Sequence, residues 1–203
     1  MKRFFKIITT PSARYSLGAL VFVGAILGAL GFSGFQVMIH ETSSDEFCLV
    51  CHDQDIGLEM SETVHTSNSV GLLASCADCH LPHSFWPKVV AKTRSGIKDT
   101  YHQILGTIDT IEKFEARRMH MATLVWQSMN GNDSRECRHC HDQSKWNLAK
   151  QTAKASQYHG PALANGKTCI DCHKGIAHNL PQGIVPDQQI EGIDPIGVGA
   201  GLP

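Results

Sequence analysis

The sequence predicts a mainly α-helical protein with little regular secondary structure, in which one N-terminal transmembrane helix precedes a domain built from two similar halves. Three observations support this fold class. An uncharged run covers residues 15–39, four copies of one short cysteine motif follow it, and apolar residues recur at helical spacing between the second and third copies. We divide the chain accordingly into the segments 1–14, 15–39, 40–86, 87–131, 132–180 and 181–203.

The uncharged run is about 25 residues long, whereas an α-helix needs about 20 to cross a bilayer. Basic residues without any acid precede it, namely Lys2, Arg3, Lys6 and Arg14, whereas Glu41, Asp45 and Glu46 follow it. The positive-inside rule therefore places residues 1–14 in the cytoplasm and the remaining domain outside. A cleaved signal peptide is the alternative, because Ala29-Leu30-Gly31 has small residues at a plausible cleavage spacing. The apolar run continues past that point, which favours a retained single span.

Four Cys-x-x-Cys-His motifs use all eight cysteines of the chain, which are Cys48, Cys51, Cys76, Cys79, Cys137, Cys140, Cys169 and Cys172. Such a motif attaches haem c: the two thiols bond to the macrocycle and the histidine ligates its iron. A zinc knuckle or a redox-active cysteine pair would not require the same histidine in four copies. The sequence therefore predicts a tetrahaem cytochrome with four haem c groups. Because haem c is attached outside the cytoplasmic membrane of bacteria, we expect a periplasmic domain anchored in the inner membrane.

Length and charge restrict the remaining possibilities. The chain has 203 residues and a formal net charge of −1, which gives no case for nucleic-acid binding. About 160 residues outside the membrane must enclose four haems, roughly 40 residues each, which is too few for a conventional core around each. We therefore expect the haems to form the core, with short helices and loops around them.

The histidines reveal an internal repeat. The proximal iron ligands, each completing a motif, are His52, His80, His141 and His173. Further histidines follow the motifs at equivalent places in the two halves, so we expect distal ligands among His65, His83, His159 and His178. Low-spin electron-transfer haems usually require a second strong ligand. Spacing does not show which of these imidazoles serves which haem.

The segment 87–131 contains no haem motif and reads as two helices. Its first part has apolar residues at helical spacing, and Asp109-x-x-Glu112 resembles a capping box for a second helix that ends near Asn130-Gly131. The tail 181–203 is rich in Gly and Pro, so we expect irregular structure there.

These features together resemble the NapC/NirT family of membrane-anchored tetrahaem quinol dehydrogenases. Besides the haem motifs, four stretches carry the resemblance: residues Pro11–Tyr15, Cys79–His83, Asn132–Ser134 and Thr168–His178. The family implies a protein that oxidises quinol, either menaquinol or ubiquinol, and passes electrons to a periplasmic reductase in anaerobic respiration.

The resemblance also implies roles for particular residues. Lys92 and Asp99 match a lysine and an acidic residue that lie beside the quinol in the family. In some members a methionine ligates the first haem two residues after the motif histidine; Gln54 occupies that position here, so His52 is the expected ligand. In the family the first haem lacks a distal histidine, so one of the four distal candidates is expected not to ligate iron. His83 is the weakest of them, because it lies only three residues from a proximal ligand.

Besides quinol oxidation, two other functions are compatible with the sequence. The main alternative is a passive tether that receives electrons from another membrane protein and performs no chemistry. A terminal reductase that acts on a small anion at an open iron position is a weaker third interpretation. The sequence does not identify the terminal electron acceptor, and it is compatible with both homo-oligomers and hetero-oligomers.

Overall fold

The computed structural model describes residues 14–52, 54–186 and 188. The predicted cytoplasmic segment lies outside these residues except for Arg14, and so does most of the predicted tail. The chain divides into two compact units, Met1–Thr42 and Ser43–Pro203. The second unit contains all four haem motifs, so the two halves predicted from the repeat are not separate units.

The first unit contains one long helix, α1, which covers Leu17–Glu41. The Ser16 hydroxyl begins it by accepting a hydrogen bond from the backbone N–H of Ala19 at 3.2 Å. Apolar residues such as Leu17, Phe22 and Leu30 are more than half exposed along its length. This helix, which is apolar on every side except for its last residues His40 and Glu41, is long and apolar enough to cross a membrane. The predicted span at 15–39 is thus observed as a helix displaced by two residues.

The second unit, which we call the haem domain, is built from helices and loops. Its described residues contain no β-strand, which confirms the predicted fold class. The α-helices are α2 (Asp45–Cys48), α3 (Gln54–Ser61), α4 (Cys76–His80), α5 (Phe85–Ile104), α6 (Ile111–Gly131), α7 (Arg135–Cys140), α8 (Ala153–Ala164) and α9 (Cys169–Cys172). Two short 3₁₀ helices, Gln143–Lys145 and Leu148–Lys150, lie between α7 and α8.

The connecting segment forms the two predicted helices, but the predicted cap of the second is wrong. The side chain of Thr110, not that of Asp109, accepts a hydrogen bond from the backbone N–H of Lys113 at 3.4 Å. Asp109 instead forms an ion pair with Lys113, whose Nζ lies 2.6 Å from its carboxylate. Thr and Asp are both good N-cap residues, so the backbone course decided between them.

The haem domain has few buried apolar side chains among its described residues, namely Met60, Phe114, Trp126 and Ile170. Two helix contacts connect haem motifs, since α2 packs on α4 and α4 packs on α7, and a third packs α9 of the fourth motif on the connecting helix α6. This small protein core agrees with the expectation that bound groups complete the interior. The described part of the tail, residues 181–186 and 188, is irregular as expected.

Candidate haem centres

The second and fourth haem motifs are single helical turns, and each begins with a capping box. The Ser75 backbone N–H donates to the Asp78 carboxylate at 2.8 Å, and the Ser75 hydroxyl accepts from the Asp78 N–H at 3.3 Å. Thr168 and Asp171 form the corresponding capping box before the fourth motif, with a Thr168 N–H to carboxylate distance of 2.7 Å. A helix of four or five residues is unstable alone, so these boxes hold the two cysteines on one turn.

The third motif begins differently. Asp133 and Ser134 have positive φ values of 58° and 49°, which turn the chain sharply between α6 and α7. Ser134 is fully buried, and its hydroxyl accepts a hydrogen bond from the backbone N–H of Ile170 at 3.2 Å. The turn therefore attaches the third motif to the fourth. The second and fourth motifs thus share a cap, whereas the first and third begin differently, and the predicted duplication is not confirmed.

Consecutive motifs are neighbours in space. The Asp45 carboxylate, just before the first motif, accepts a hydrogen bond from the backbone N–H of Cys76 at 2.8 Å. The packing of α4 on α7 brings the second motif to the third. The bond between Ile170 and Ser134 joins the third to the fourth. The four motifs thus form a series in the order of the sequence.

Three predicted distal histidines lie opposite motif histidines. The ring centres are 6.3 Å apart for His65 and His141. They are 6.2 Å apart for His80 and His178. They are 6.0 Å apart for His159 and His173. Two of these pairs join the halves of the predicted repeat, since the second motif pairs with a histidine beyond the fourth and the third motif pairs with His65.

This spacing fits two imidazoles that share one metal ion. A metal–nitrogen bond of about 2.0 Å on each side, with each nitrogen about 1.1 Å from its ring centre, separates the ring centres by about 6 Å. The residues present therefore fit haem c with two histidine ligands at the second, third and fourth motifs. Among the described residues, no ring contact joins His52 to another histidine. The first motif thus differs from the other three.

His83, the fourth predicted distal candidate, lies against a different partner. Its ring stacks on His139 with the ring centres 3.6 Å apart and the planes 13° from parallel. Such close parallel stacking leaves no space for an iron between the two rings. His139 lies inside the third motif and is exposed, as expected for the central position of a Cys-x-x-Cys turn.

The surroundings keep several of the paired imidazoles neutral, which is the form that binds a metal ion. Burial, with the neighbouring imidazoles of His178 and His52, lowers the pKa of His80 to about 4, although part of the residue stays exposed. Burial also lowers the pKa of His173, and the nearby rings of His159 and His141 contribute in the same direction. Burial is the main cause of the lowered pKa of His178 as well.

Outer hydrogen bonds orient two of the proposed ligands. The Nδ1 atom of His159 lies 2.8 Å from the Gln151 amide oxygen, which leaves Nε2 of that ring for a metal. His178 is positioned through the residue that follows it. Asn179 donates two hydrogen bonds to the Glu59 carboxylate, both at 3.0 Å. Arg118 donates to the same carboxylate at 2.6 Å and to the Asn179 carbonyl at 3.2 Å.

Sequence reasoning missed this ion pair between Glu59 and Arg118. The arginine is 8% exposed as a residue, and both side chains are mostly buried, at 9% and 11% exposure. Hydrogen bonds from Arg118 and Asn179 outweigh the effect of burial and lower the pKa of Glu59, so the carboxylate is charged at neutral pH. No motif marks either residue, because the pair joins α3 to α6 across a long stretch of sequence.

Lys92 lies beside the first motif. Its Nζ is 5.7 Å from the centre of the Phe47 ring, next to Cys48. Burial lowers the pKa of Lys92, with an opposing effect from Cys48 and a further lowering by Lys88. Asp99 lies seven residues later on the same face of α5 and is exposed. The structure therefore places Lys92, but not Asp99, next to the residue that precedes the first motif and within electrostatic range of Cys48. The Gln54 side chain lies outside the described residues.

A helical domain with four Cys-x-x-Cys-His motifs and opposed histidine pairs defines a multihaem c-type cytochrome, a class of electron-transfer proteins. Residues 10–183 match the model of the NapC/NirT cytochrome c family, N-terminal region. The chain therefore belongs to the NapC/NirT cytochrome c family.

Relatives in several bacteria cover nearly the whole chain. The chain is 42% identical to the cytochrome c-type protein NapC of Escherichia coli (strain K12), over 89% of this chain and 90% of the relative. It is 40% identical to the denitrification system component NirT of Stutzerimonas stutzeri, over 90% and 92%. It is 42% identical to NapC of Paracoccus pantotrophus, over 90% and 79%. Membership of this family confirms the resemblance inferred from the motifs.

Proposed function

We propose that the protein oxidises quinol from the membrane pool and transfers the electrons to a periplasmic reductase in anaerobic respiration. The observation that carries this proposal is the position of Lys92 beside Phe47 and within electrostatic range of Cys48, with Asp99 on the same face of α5. The first motif also begins only a few residues after α1 in the sequence. A cation beside the first motif and a carboxylate two turns further along the same helix face are groups that suit a quinol donor.

The proton chemistry falls to these two residues. Quinol loses two protons when it is oxidised to quinone, and a carboxylate can accept a proton from a bound hydroxyl group. We assign this role to Asp99. Lys92 would donate a hydrogen bond to the quinol oxygen and stabilise the negative charge that develops there. Its lowered pKa is consistent with a partly desolvated position.

The histidines would hold the electron carriers. We propose His65, His159 and His178 as distal ligands of the third, fourth and second motifs, with His141, His173 and His80 as their proximal partners. His52 would be the protein's ligand at the first motif, and His83 would not ligate iron. Haem c supplies reversible one-electron chemistry when it is bound. The neighbouring motifs provide a continuous series of such positions from the quinol site.

The proposed topology follows the charges that flank α1. Residues 1–14 would lie in the cytoplasm, α1 would span the inner membrane once, and the haem domain would face the periplasm. There the domain would meet both quinol at the membrane surface and a periplasmic partner.

A quinol-reduction assay tests the proposed enzyme. The full-length haem-loaded protein would be mixed with a soluble menaquinol analogue, and the haem absorbance would be followed. We expect Lys92→Gln and Asp99→Asn each to slow reduction by about 100-fold, since each removes a group that acts on the quinol hydroxyl. Lys154→Gln, a change at an exposed lysine of α8, is the matched control and should leave the rate unchanged.

Dithionite reduction separates a defect at the quinol site from a defect in the haems, because it bypasses that site. All variants should be reduced by dithionite like the wild type. If the wild type were reduced by dithionite but not by the quinol analogue, the enzyme proposal would fail and the passive tether would explain the protein.

A further inference from the structure

One face of α5 is an exposed stripe of large apolar side chains. We call it the α5 stripe: it consists of Trp86, Val90, Ile97, Tyr101 and Ile104, whose exposed fractions lie between 60% and 79%. At about 100° per residue, these five positions fall within about 60° of the helix circumference. A narrow row of this length is unusual on a surface that faces only water.

The α5 stripe faces away from the first haem motif. Lys92, which lies beside Phe47 and interacts with Cys48, follows Val90 by two residues and is therefore about 200° around the helix from it. Asp99 bears the same relation to Ile97. Phe47 and Cys48 of the first motif region thus lie on the side of α5 opposite to the stripe.

Basic residues border the stripe on one side. Arg94 and Lys98 lie next to it on the helix, both are exposed, and neither forms an ion pair with any residue that the structure describes. A helix with an apolar face that contains Trp and Tyr and a border of Lys and Arg is typical of a segment that lies in the interface of an anionic bilayer.

We propose that α5 lies in the headgroup region of the membrane, with the α5 stripe in contact with lipid. The same chain carries α1, an apolar helix long enough to span a bilayer, so anionic lipid is at a high effective concentration near the haem domain. This inference depends on α1 as the membrane anchor and not on quinol oxidation. In this position, the face of α5 that carries Lys92 lies between the lipid surface and the first motif.

Spin labelling at single introduced cysteines tests the proposal in the full-length haem-loaded protein. All eight native cysteines belong to haem motifs, so an added thiol is the one available for labelling. The label would be placed at Ile97→Cys in the stripe and at Ser95→Cys, the matched control about 200° away on the same turn. Each protein would be inserted as one copy into nanodiscs of phosphatidylcholine and phosphatidylglycerol. Haem absorbance would verify that each variant is fully loaded.

Collisions with two relaxing agents distinguish the environments. Oxygen concentrates in lipid, whereas a water-soluble nickel chelate does not enter it. We expect the ratio of oxygen to nickel accessibility to be about tenfold higher at position 97 than at position 95. Equal ratios would place the stripe in water and overturn the proposal. Low accessibility to both agents at position 97 would mean that protein covers the stripe, which would also overturn it.

A charge reversal tests the role of the basic border. Arg94→Glu with Lys98→Glu should reduce the oxygen-to-nickel ratio at position 97 severalfold in anionic nanodiscs, because the acidic side chains repel anionic headgroups. The quinol assay is independent of this measurement. Loss of quinol oxidation with lipid contact intact would refute the proposed enzyme alone, and loss of lipid contact with quinol oxidation intact would refute only the membrane position of α5.

Discussion

At the residue scale, the most informative feature is the opposition of three histidine pairs at about 6 Å. The motif histidines can be recognised in the sequence because each follows a cysteine pair. The histidines that lie opposite them cannot be assigned from the sequence, since His65 pairs with a motif in the other half of the chain and His178 pairs with the second motif rather than the fourth. The ring of His83 stacks on His139 instead, so an equivalent position in the sequence repeat does not place this histidine opposite a motif histidine.

A methionine substitution distinguishes a distal ligand from a neighbouring histidine. His65→Met should replace an imidazole ligand of the third motif with a thioether, which raises the reduction potential of one haem by on the order of 100 mV. His83→Met is the control and should leave all four potentials within experimental error. A spectroscopic redox titration of both variants measures this difference. A shift caused by His83→Met, with none from His65→Met, would reverse the assignment.

At the element scale, the haem-bearing turns are short helices that depend on their caps and neighbours. The two helices of the connecting segment could be predicted because their apolar residues recur at helical spacing over about twenty residues. The cap of α6 was predicted one residue early, since Asp109 and Thr110 are both suitable and only the backbone distinguishes them. The caps of α4 and α9 share a pattern in the sequence, namely Ser or Thr before the first cysteine and Asp three residues later.

Removal of the capping carboxylate should destabilise the domain less at Asp78 than at Asp171. Asp78→Ala removes a partly exposed capping box, for which a loss of about 1 kcal/mol is expected. Asp171→Ala should cost about 2–3 kcal/mol, because Asp171 is 3% exposed and also accepts a hydrogen bond from the buried Asn130 amide at 2.9 Å.

Thermal unfolding of the haem-loaded variants, monitored by circular dichroism, measures this difference. Each melting temperature would be compared with that of wild type. Asp55→Ala, at an exposed position on α3, is the control for the loss of an acidic residue. Equal melting temperatures for Asp78→Ala and Asp171→Ala would show that the buried bond to Asn130 contributes no stability.

At the scale of the whole molecule, a long apolar helix and a haem domain with a small protein core are joined in one chain. The described haem domain buries few large apolar side chains, so much of its stability must come from covalent and coordinate bonds to the haems. The small core agrees with the expectation that the haems complete the interior, whereas the connecting segment forms two long helices of 20 and 21 residues. The same shortage of buried side chains prevents hydrophobic patterning from predicting how the motifs pack.

Intact mass analysis of the purified protein tests this organisation. We expect the mass of the full-length chain plus four haem groups, because every cysteine pair is followed by its histidine and α1 is retained as an anchor. A mass lower by the first thirty or so residues would instead indicate a cleaved signal peptide. Absorbance of the pyridine-treated haems provides an independent count, and Cys169→Ala with Cys172→Ala should lower that count from four to three.

The sequence by itself determined the family, the haem c class of cofactor and the apolar helix, and it predicts the haem-binding cysteines and proximal histidines, because each depends on residues that are adjacent or regularly spaced along the chain. Tertiary structure decided which distal histidine faces which motif, which charged residue meets the first motif, and which buried ion pair holds the loop after His178. Those features join distant segments, and their partners become neighbours only when the chain folds around its motifs.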